Sequence, residues 1–502
     1  MQPTTDASAT TGLTEAVRLV LPALEQFLRF DDRDLAATRY AQWRAALNES
    51  LPERGAGAQS VLEIVGKTVI PHGVLIGAPG FSGWVNTMPT IVPTVAAFTA
   101  TIAGAQRAWL QSYNFLENLA LEWLKQLLGL PPSYQGIFSS GGSVANLIAL
   151  GAARQWAYEQ NGIDPARDGL ASLQKPRLYA SNQVHHVVQR AAAVLGLGRR
   201  ALIQLPTDNV FRLDVNALRE QLRRDRAGGF TPVAVIASAG TVNTGAIDPV
   251  YEIAQLCHDE RVWLHVDGAY GAFGNLDSEV RPLFAGLSEA DSLAVDPHKW
   301  LAVPLGCGAT FVRDRELLGR AFTLEPAEYL EGSARQLKSI GSQFDDFGHA
   351  FHHFTVEQSA QSRGVTVWAA LKEMGAEGMR ARVRAHNSFA RHLAARVQAS
   401  SVLELLAPVT LSICCFRYVP LEWRRRDDMM PLLNDLNREV LKRLHHENRY
   451  IPSSTELNGA FAIRSCYINP RTTLGDVDGL VQAVERLGEQ VWREHQPEAM
   501  VP

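Results

Sequence analysis

The chain has 502 residues, 46% hydrophobic and 20% charged, with a formal net charge of -4. That length buries a large core without disulfide or metal staples, and the near-balanced charge argues against a nucleic-acid or anionic-membrane binder. No charge-free run of about 18 apolar residues occurs, so no transmembrane helix is expected, and the polar start from Met1 to Thr14 lacks the regions of a secretory signal.

Residues 1–60 read as mostly helical, with Val17, Leu21, Leu24 and Leu28 on one face. A loop rich in Gly and Pro runs from Pro71 to Pro93, and a long helix from about residue 100 passes through Leu119, Leu121, Leu124, Leu127 and Leu128. The centre alternates short apolar runs with helical stretches. Gly136–Ser139, Arg177–Ser181, Ala201–Leu205, Val233–Ser238, Val262–Asp267 and Ser292–Val295 are expected strands, with helices such as Val144–Tyr158 and Val250–Cys257 between them. This alternation predicts an α/β fold with a mainly parallel sheet and helices on both faces. Ligands in such sheets bind outside the carboxyl ends of the strands. From about 320 to 360 the pattern weakens, as in a functional lid. A helix at Val365–Lys372 leads into a smaller α+β portion. Its expected elements are a helix Asn387–Ala399, a strand Val409–Tyr418, a helix Pro431–His445, a strand Ala460–Cys466 and a last helix from Val477.

The five cysteines, Cys257, Cys307, Cys414, Cys415 and Cys466, show no C-x-x-C pair and no zinc-ligand spacing, so no metal site is expected. They read as small buried residues of a protein in a reducing cytoplasm. Cys414 and Cys415 adjoin in an expected strand and should point to opposite faces.

Three local patterns carry chemistry. Ser139-Ser140-Gly141-Gly142-Ser143 lies between a strand and a helix. Glycines there let backbone approach a phosphate, and the helix N-terminus offers free N–H groups. Asp267 ends the apolar run Val262–Val266, a costly place for a carboxylate without a partner. Lys299 follows Ser292–Val295 in Asp296-Pro297-His298-Lys299-Trp300. A phosphate cradle, an acid and a lysine in this order suit pyridoxal 5'-phosphate (PLP), whose carbonyl the lysine binds and whose pyridine nitrogen the acid keeps protonated.

The chain resembles the group II PLP-dependent decarboxylases, the family of aromatic-amino-acid, histidine and glutamate decarboxylases. The matching stretches are Ser140-Gly141-Gly142-Ser143 with Asn146, Ser181-Asn182-Gln183-Val184-His185, Gly240-Thr241, His265-Val266-Asp267, Asp291-Ser292 with Pro297-His298-Lys299-Trp300, and Arg464 to Thr473. The resemblance implies PLP-dependent transferase fold type I, like aspartate aminotransferase. It divides the chain into an N-terminal helical segment, 1–110, packing on a dimer partner, a large PLP-binding domain, 111–370, with a mobile loop at about 320–360, and a small C-terminal domain, 371–502. It implies a cytoplasmic homodimer whose partner molecule is an amino-acid substrate. Residue by residue, Lys299 is the Schiff-base lysine. His185 stacks on the PLP ring and helps with proton transfer, Asp267 pairs with the pyridine nitrogen, and Ala269 packs on the opposite ring face. Thr241 sits near the phenolic side, and Ser140, Gly141, Gly142, Ser292 and His298 surround the phosphate. The implied reaction is decarboxylation of an L-amino acid to the amine and CO2.

The family commonly carries a tyrosine in the mobile loop that protonates Cα. That position falls on Phe351, in Phe351-His352-His353-Phe354, and phenylalanine there goes with relatives that form an aldehyde by oxidative deamination. Tyr329, His352 and His353 are the other proton-donor candidates. A PLP carbon–carbon lyase is a further alternative. Phe81, Trp84, Tyr113 and Phe115 suggest an aromatic or apolar substrate side chain, Phe81, Trp84 and Phe351 being the expected pocket residues. An acidic substrate would call for an arginine such as Arg107 or Arg363.

Overall fold

The computed structural model describes residues 12–30, 43–104, 111–170, 175–322, 351–424 and 426–495. Its described helices of eight residues or more are α1 (Leu13–Phe27), α2 (Ile91–Ile102), α3 (Gln111–Leu128), α4 (Gly142–Glu159), α5 (Val187–Val194), α6 (Val215–Ala227), α7 (Val250–Glu260), α8 (Gly364–Ala399), α9 (Met430–Glu447) and α10 (Leu474–His495). The strands are β1 (Phe81–Ser82), β2 (Gln135–Ser139), β3 (Pro176–Ser181), β4 (Leu202–Leu205), β5 (Thr231–Ser238), β6 (Trp263–Asp267), β7 (Ser292–Val295), β8 (Gly308–Val312), β9 (Leu403–Leu405), β10 (Ile413–Tyr418), β11 (Ile451–Leu457) and β12 (Ala460–Cys466).

Seven strands form the main sheet in the order β2-β8-β7-β6-β5-β3-β4. The neighbours from β7 through β4 are parallel, as the alternating pattern predicts. Strand β8 is antiparallel to both β2 and β7. It is missing from the expected strands because no helical stretch longer than one turn separates it from Lys299, so the alternation gives no cue. Val233–Ala237 of β5 is buried at every residue, the mark of a strand covered on both faces. Helix α4 lies on this sheet through Ala145, Ile148, Ala149, Ala152 and Ala153, all fully buried. Short side chains there let backbone pack close. Asp214 caps α6 by accepting the Asn216 and Ala217 N–H groups.

A second sheet has the order β1-β11-β12-β10-β9. Strand β1, from the Gly- and Pro-rich loop, pairs in parallel with β11, Phe81 opposite Ile451. The N-terminal segment is therefore tied into the C-terminal sheet. Cys415 joins the core of the first sheet and Cys414 the core packed on α9 and α10, the opposite facing expected of strand neighbours. All five cysteines are free and buried.

The long helix expected from residue 100 is two helices, α2 and α3. The two helices expected near 365–372 and 387–399 are present as the two parts of α8, which meet at a kink at Gly375 with φ 68°, a conformation glycine adopts without strain. The start of α8 is capped from afar. Buried Glu117 accepts the Arg363 N–H at 3.1 Å, the Gly364 N–H at 2.6 Å and the Ser362 hydroxyl at 3.2 Å. Among the described residues, no helix is long and apolar enough to cross a membrane. Most of the expected lid, residues 323–350, lies outside the described residues, as do Tyr329 and Arg107.

Candidate active site

The main cavity, about 780 Å³, opens at the carboxyl ends of the parallel strands. Its floor is the turn from β2 into α4, where Ser140, Gly141, Gly142 and Ser143 line it. Gly141 has φ 127° and no side chain caps α4, so the first N–H groups of the helix remain available to an anion. A Cβ on Gly142 would lie 2.5 Å from Asp296 Oδ2, and one on Gly308 would lie 2.6 Å from the Gly141 carbonyl carbon. Only glycine permits that approach.

A row of hydrogen bonds holds this cradle from behind. Trp263 Nε1 donates to Ser292 Oγ, which bonds His265 Nδ1, each at 2.9 Å. His265 Nε2 bonds Asn146 Oδ1 at 2.9 Å, and Asn146 Nδ2 donates to the Gly142 carbonyl at 2.8 Å. The donors run in one direction if His265 is neutral with its proton on Nε2. Burial pushes its pKa down to about 4, which keeps it neutral. Ser292 is thus not beside the cradle, as the resemblance implied. It lies at the amino end of β7, fully buried and outside the cavity lining.

Lys299 sits on the single helical turn Pro297–Trp300 that follows β7. Its Nζ lies 2.9 Å from Asp296 Oδ2. The neighbouring His298 donates Nδ1–H to the Cys307 carbonyl at 2.7 Å, and its Cε1 lies 3.4 Å from where a Gly141 Cβ would be. Asp267 ends β6, buried, and accepts the Ala269 N–H at 3.1 Å. His185, just beyond β3, accepts the Val187 N–H at Nδ1 at 3.3 Å. Burial holds its imidazole below the ordinary range, opposed by the Asp267 carboxylate. Thr241 shares a 2.9 Å hydroxyl contact with Thr244. Asp267, Ala269, His185, Thr241, His298 and Lys299 all line the one cavity.

The expected substrate residues divide. Trp84 lines the cavity. Its φ is 51°, unusual for a bulky residue, and its carbonyl accepts Arg464 Nη1–H at 3.0 Å. Phe81 and Phe351 do not line it. Phe81 is buried in β1, and Phe351, 1% exposed, belongs to the core of the first sheet. Phe115 is exposed, Tyr113 packs on the small cluster around Ala100 and Val365, and Arg363 is paired with Glu357. His352 and His353 lie with Phe351 on a short 3-10 turn outside the lining.

Two charged residues in the lining, Arg464 and Asp296, have no role expected from sequence. Arg464 is buried in β12, and its Nη2 is buried without a hydrogen-bond partner. Asp296 is buried with Oδ1 unpartnered. The signal was available for both, since each is a charge set in a buried apolar run, the same signal that singled out Asp267. Val85, Leu305, Ser453 and Ser454 also line the cavity.

Comparison with known proteins gives a concordant result. The family model "Pyridoxal-dependent decarboxylase conserved domain" matches residues 41–419. An aromatic-L-amino-acid decarboxylase of Bacillus atrophaeus is 34% identical over 457 residues, 89% of each chain. An L-2,4-diaminobutyrate decarboxylase of Rhizobium meliloti (strain 1021) is 30% identical, over 89% of this chain and 85% of its own. The fold is similar to that of Oryza sativa TDC, solved with PLP and tryptamine, with a TM-score of 0.83, 23% identity and coverage of 98% and 99%.

Proposed function

We propose, from the premise that this chain belongs to the pyridoxal-dependent decarboxylase family, that its substrate is an L-amino acid with an aromatic or otherwise apolar side chain. The chain is a PLP-dependent amino-acid decarboxylase of fold type I. The cavity fits the cofactor: a glycine cradle that a Cβ would fill, an uncapped helix N-terminus, a buried carboxylate and a lysine face one space. When bound, PLP supplies an electron sink for the bond broken at Cα.

The protein's own residues would do the rest. Lys299 would hold the cofactor through its carbonyl. Gly141, Gly142 and Ser143 present N–H groups to the phosphate, with Ser140 and His298 beside them. Asp267 holds a proton at the pyridine nitrogen. A neutral His185 would hold the ring without adding charge, with Ala269 and Thr241, which line the same cavity, as its other neighbours. Arg464 offers its unpartnered Nη2–H to the substrate carboxylate, held in place by the Asn243 carbonyl at 3.1 Å and the Ser453 hydroxyl at 3.2 Å.

The substrate reading rests on one observation: Arg464 is the only arginine among the described lining residues, beside Trp84, Val85 and Leu305. With that cation engaged by the α-carboxylate, no second arginine awaits an acidic side chain. The test is mass-spectrometric product analysis with a panel of L-amino acids in air. The amine of an aromatic or apolar amino acid is the expected product, and Arg464→Gln should raise KM for it by about ten-fold or more. An acidic or diamino substrate as the best one would sink the reading. Aldehyde with peroxide would move it to the oxidative branch, for which Phe351 in the core offers no support.

We also infer a homodimer. Helix α2 exposes Ile91, Val92, Val95, Phe98 and Ile102, a contiguous apolar face of the kind that marks an interface. Sedimentation velocity should return twice the chain mass, with Phe98→Glu shifted toward monomer. A monomeric wild-type protein would end that inference.

A further inference from the structure

We propose that Asp296 is the proton carrier of the phosphate cradle: a carboxylate paired with Lys299 before the cofactor enters, and a carboxylic acid once the phosphate is in place. This rests on the cofactor reading above.

Asp296 leaves β7 where Lys299 begins its turn, and its side chain is 2% exposed. It is wedged between Gly142 at the head of α4 and Gly308 at the start of β8, close enough to exclude a Cβ at either position. Among the described residues, Lys299 is the one cation within hydrogen-bond distance, at 2.9 Å. His298 Nε2 is 3.9 Å away, beyond hydrogen-bond reach, and its Nδ1 is committed to Cys307. Cys307 beside β8 and His185 across the cavity are the other titratable groups that feel its charge. Asp296 Oδ1 is buried with no hydrogen-bond partner. A buried carboxylate with an unpartnered oxygen is costly, so something else is expected to meet that oxygen.

A phosphate monoester brings about -1.5 to -2 charge near neutral pH. The cradle residues that would receive it enclose Asp296. When Lys299 condenses with the cofactor aldehyde, its nitrogen keeps one hydrogen and the positive charge, and two hydrogens leave with the carbonyl oxygen as water. At Lys299 no cation is gained, and the pyridinium charge is matched by Asp267, while the phosphate charge is added beside the Asp296 carboxylate. Like charges this close drive one of them to protonate. Asp296 takes that proton from solvent, and the resulting O–H donates to a phosphate oxygen. The unpartnered oxygen thereby acquires a role, and the cradle carries no uncompensated second anion.

The experiment is calorimetric titration of cofactor-free protein in buffers of different ionisation heat, with PLP and, separately, with pyridoxal, following the visible absorption of the lysine-bound cofactor. Wild type should take up about one more proton with PLP than with pyridoxal. Its Kd for PLP should rise by about ten-fold per pH unit over the range where that proton is taken up, as linkage requires. Asp296→Asn should remove both effects. The comparison of the two ligands on the unmodified protein stands even if the variant does not fold. Equal proton counts for PLP and pyridoxal would overturn the role of Asp296. So would the extra proton persisting in Asp296→Asn, which would place it on the phosphate itself. Absence of the lysine-bound absorption in wild type would overturn this proposal and the cofactor reading together.

Discussion

Replacing Lys299 with alanine is expected to lower kcat/KM for the preferred amino acid by on the order of 10⁴-fold or more, the scale of losing a covalent catalytic group. Lys299 is the amine that the strand-to-turn junction after β7 delivers into the cavity, and a methyl group there can neither bind the cofactor carbonyl nor displace a product amine. The substitution also strips Asp296 of its counter-charge, 2.9 Å away, and leaving that buried acid unpaired is expected to cost about 1–3 kcal/mol. Lys299→Arg separates the two effects. A guanidinium keeps a cation beside Asp296 yet stays protonated and forms no bond to the cofactor. Both variants should be inactive, the alanine variant should melt below wild type, and the arginine variant should melt near it. After borohydride reduction, peptide mass spectrometry should find the cofactor on Lys299 in wild type alone. An alanine variant retaining more than about a tenth of wild-type kcat/KM, against the loss expected from covalent catalysis, would remove Lys299 from the reaction.

Asp267→Asn is expected to lower kcat by about 10²–10³-fold, the size of one preorganised electrostatic contact, while leaving cofactor loading nearly intact. The amide matches the carboxylate in shape and still accepts the Ala269 N–H at Oδ1, so the end of β6 keeps its conformation. What the variant loses is the negative charge proposed to hold a proton at the pyridine nitrogen. Single-turnover kinetics on the loaded variant isolates that loss from binding. A kcat within about three-fold of wild type, when one electrostatic contact should be worth far more, would mean that the ring nitrogen has another partner.

Much of this site was legible along the chain. The glycine cradle, His185, Asp267 and Lys299 each sit where an expected strand ends, and strand ends follow from local apolar periodicity. A parallel sheet gathers its carboxyl ends at one edge, so reading the strands in order is nearly enough to gather the residues. The cysteines behaved likewise, because the facing of neighbours in β10 is a local property of a strand. One misplacement has a physical cause of the same kind. Ser292 was expected at the phosphate because it adjoins the lysine motif, but it enters β7, whereas Asp296 leaves it. Four residues of strand separate them by roughly 13 Å. The motif was read correctly, and the wrong end of its strand was sent to the cavity.

Phe351 and Phe81 were misplaced for another reason. An aromatic on a turn gives no local sign of whether it faces a cavity or the core. Long-range pairing decided both, Phe81 through β1 on β11 and Phe351 through burial against the first sheet. Arg464 reaches the cavity in the same way, from a strand of the second sheet nearly two hundred residues beyond His265 and Asp267. The sequence by itself determined which residues end the parallel strands, because apolar periodicity and turn chemistry act over a few residues, and its motifs at those ends carried the resemblance to the family and its cofactor. The tertiary structure alone decided which residues of the second sheet line the cavity, because the register between distant strands is a property of the packed whole.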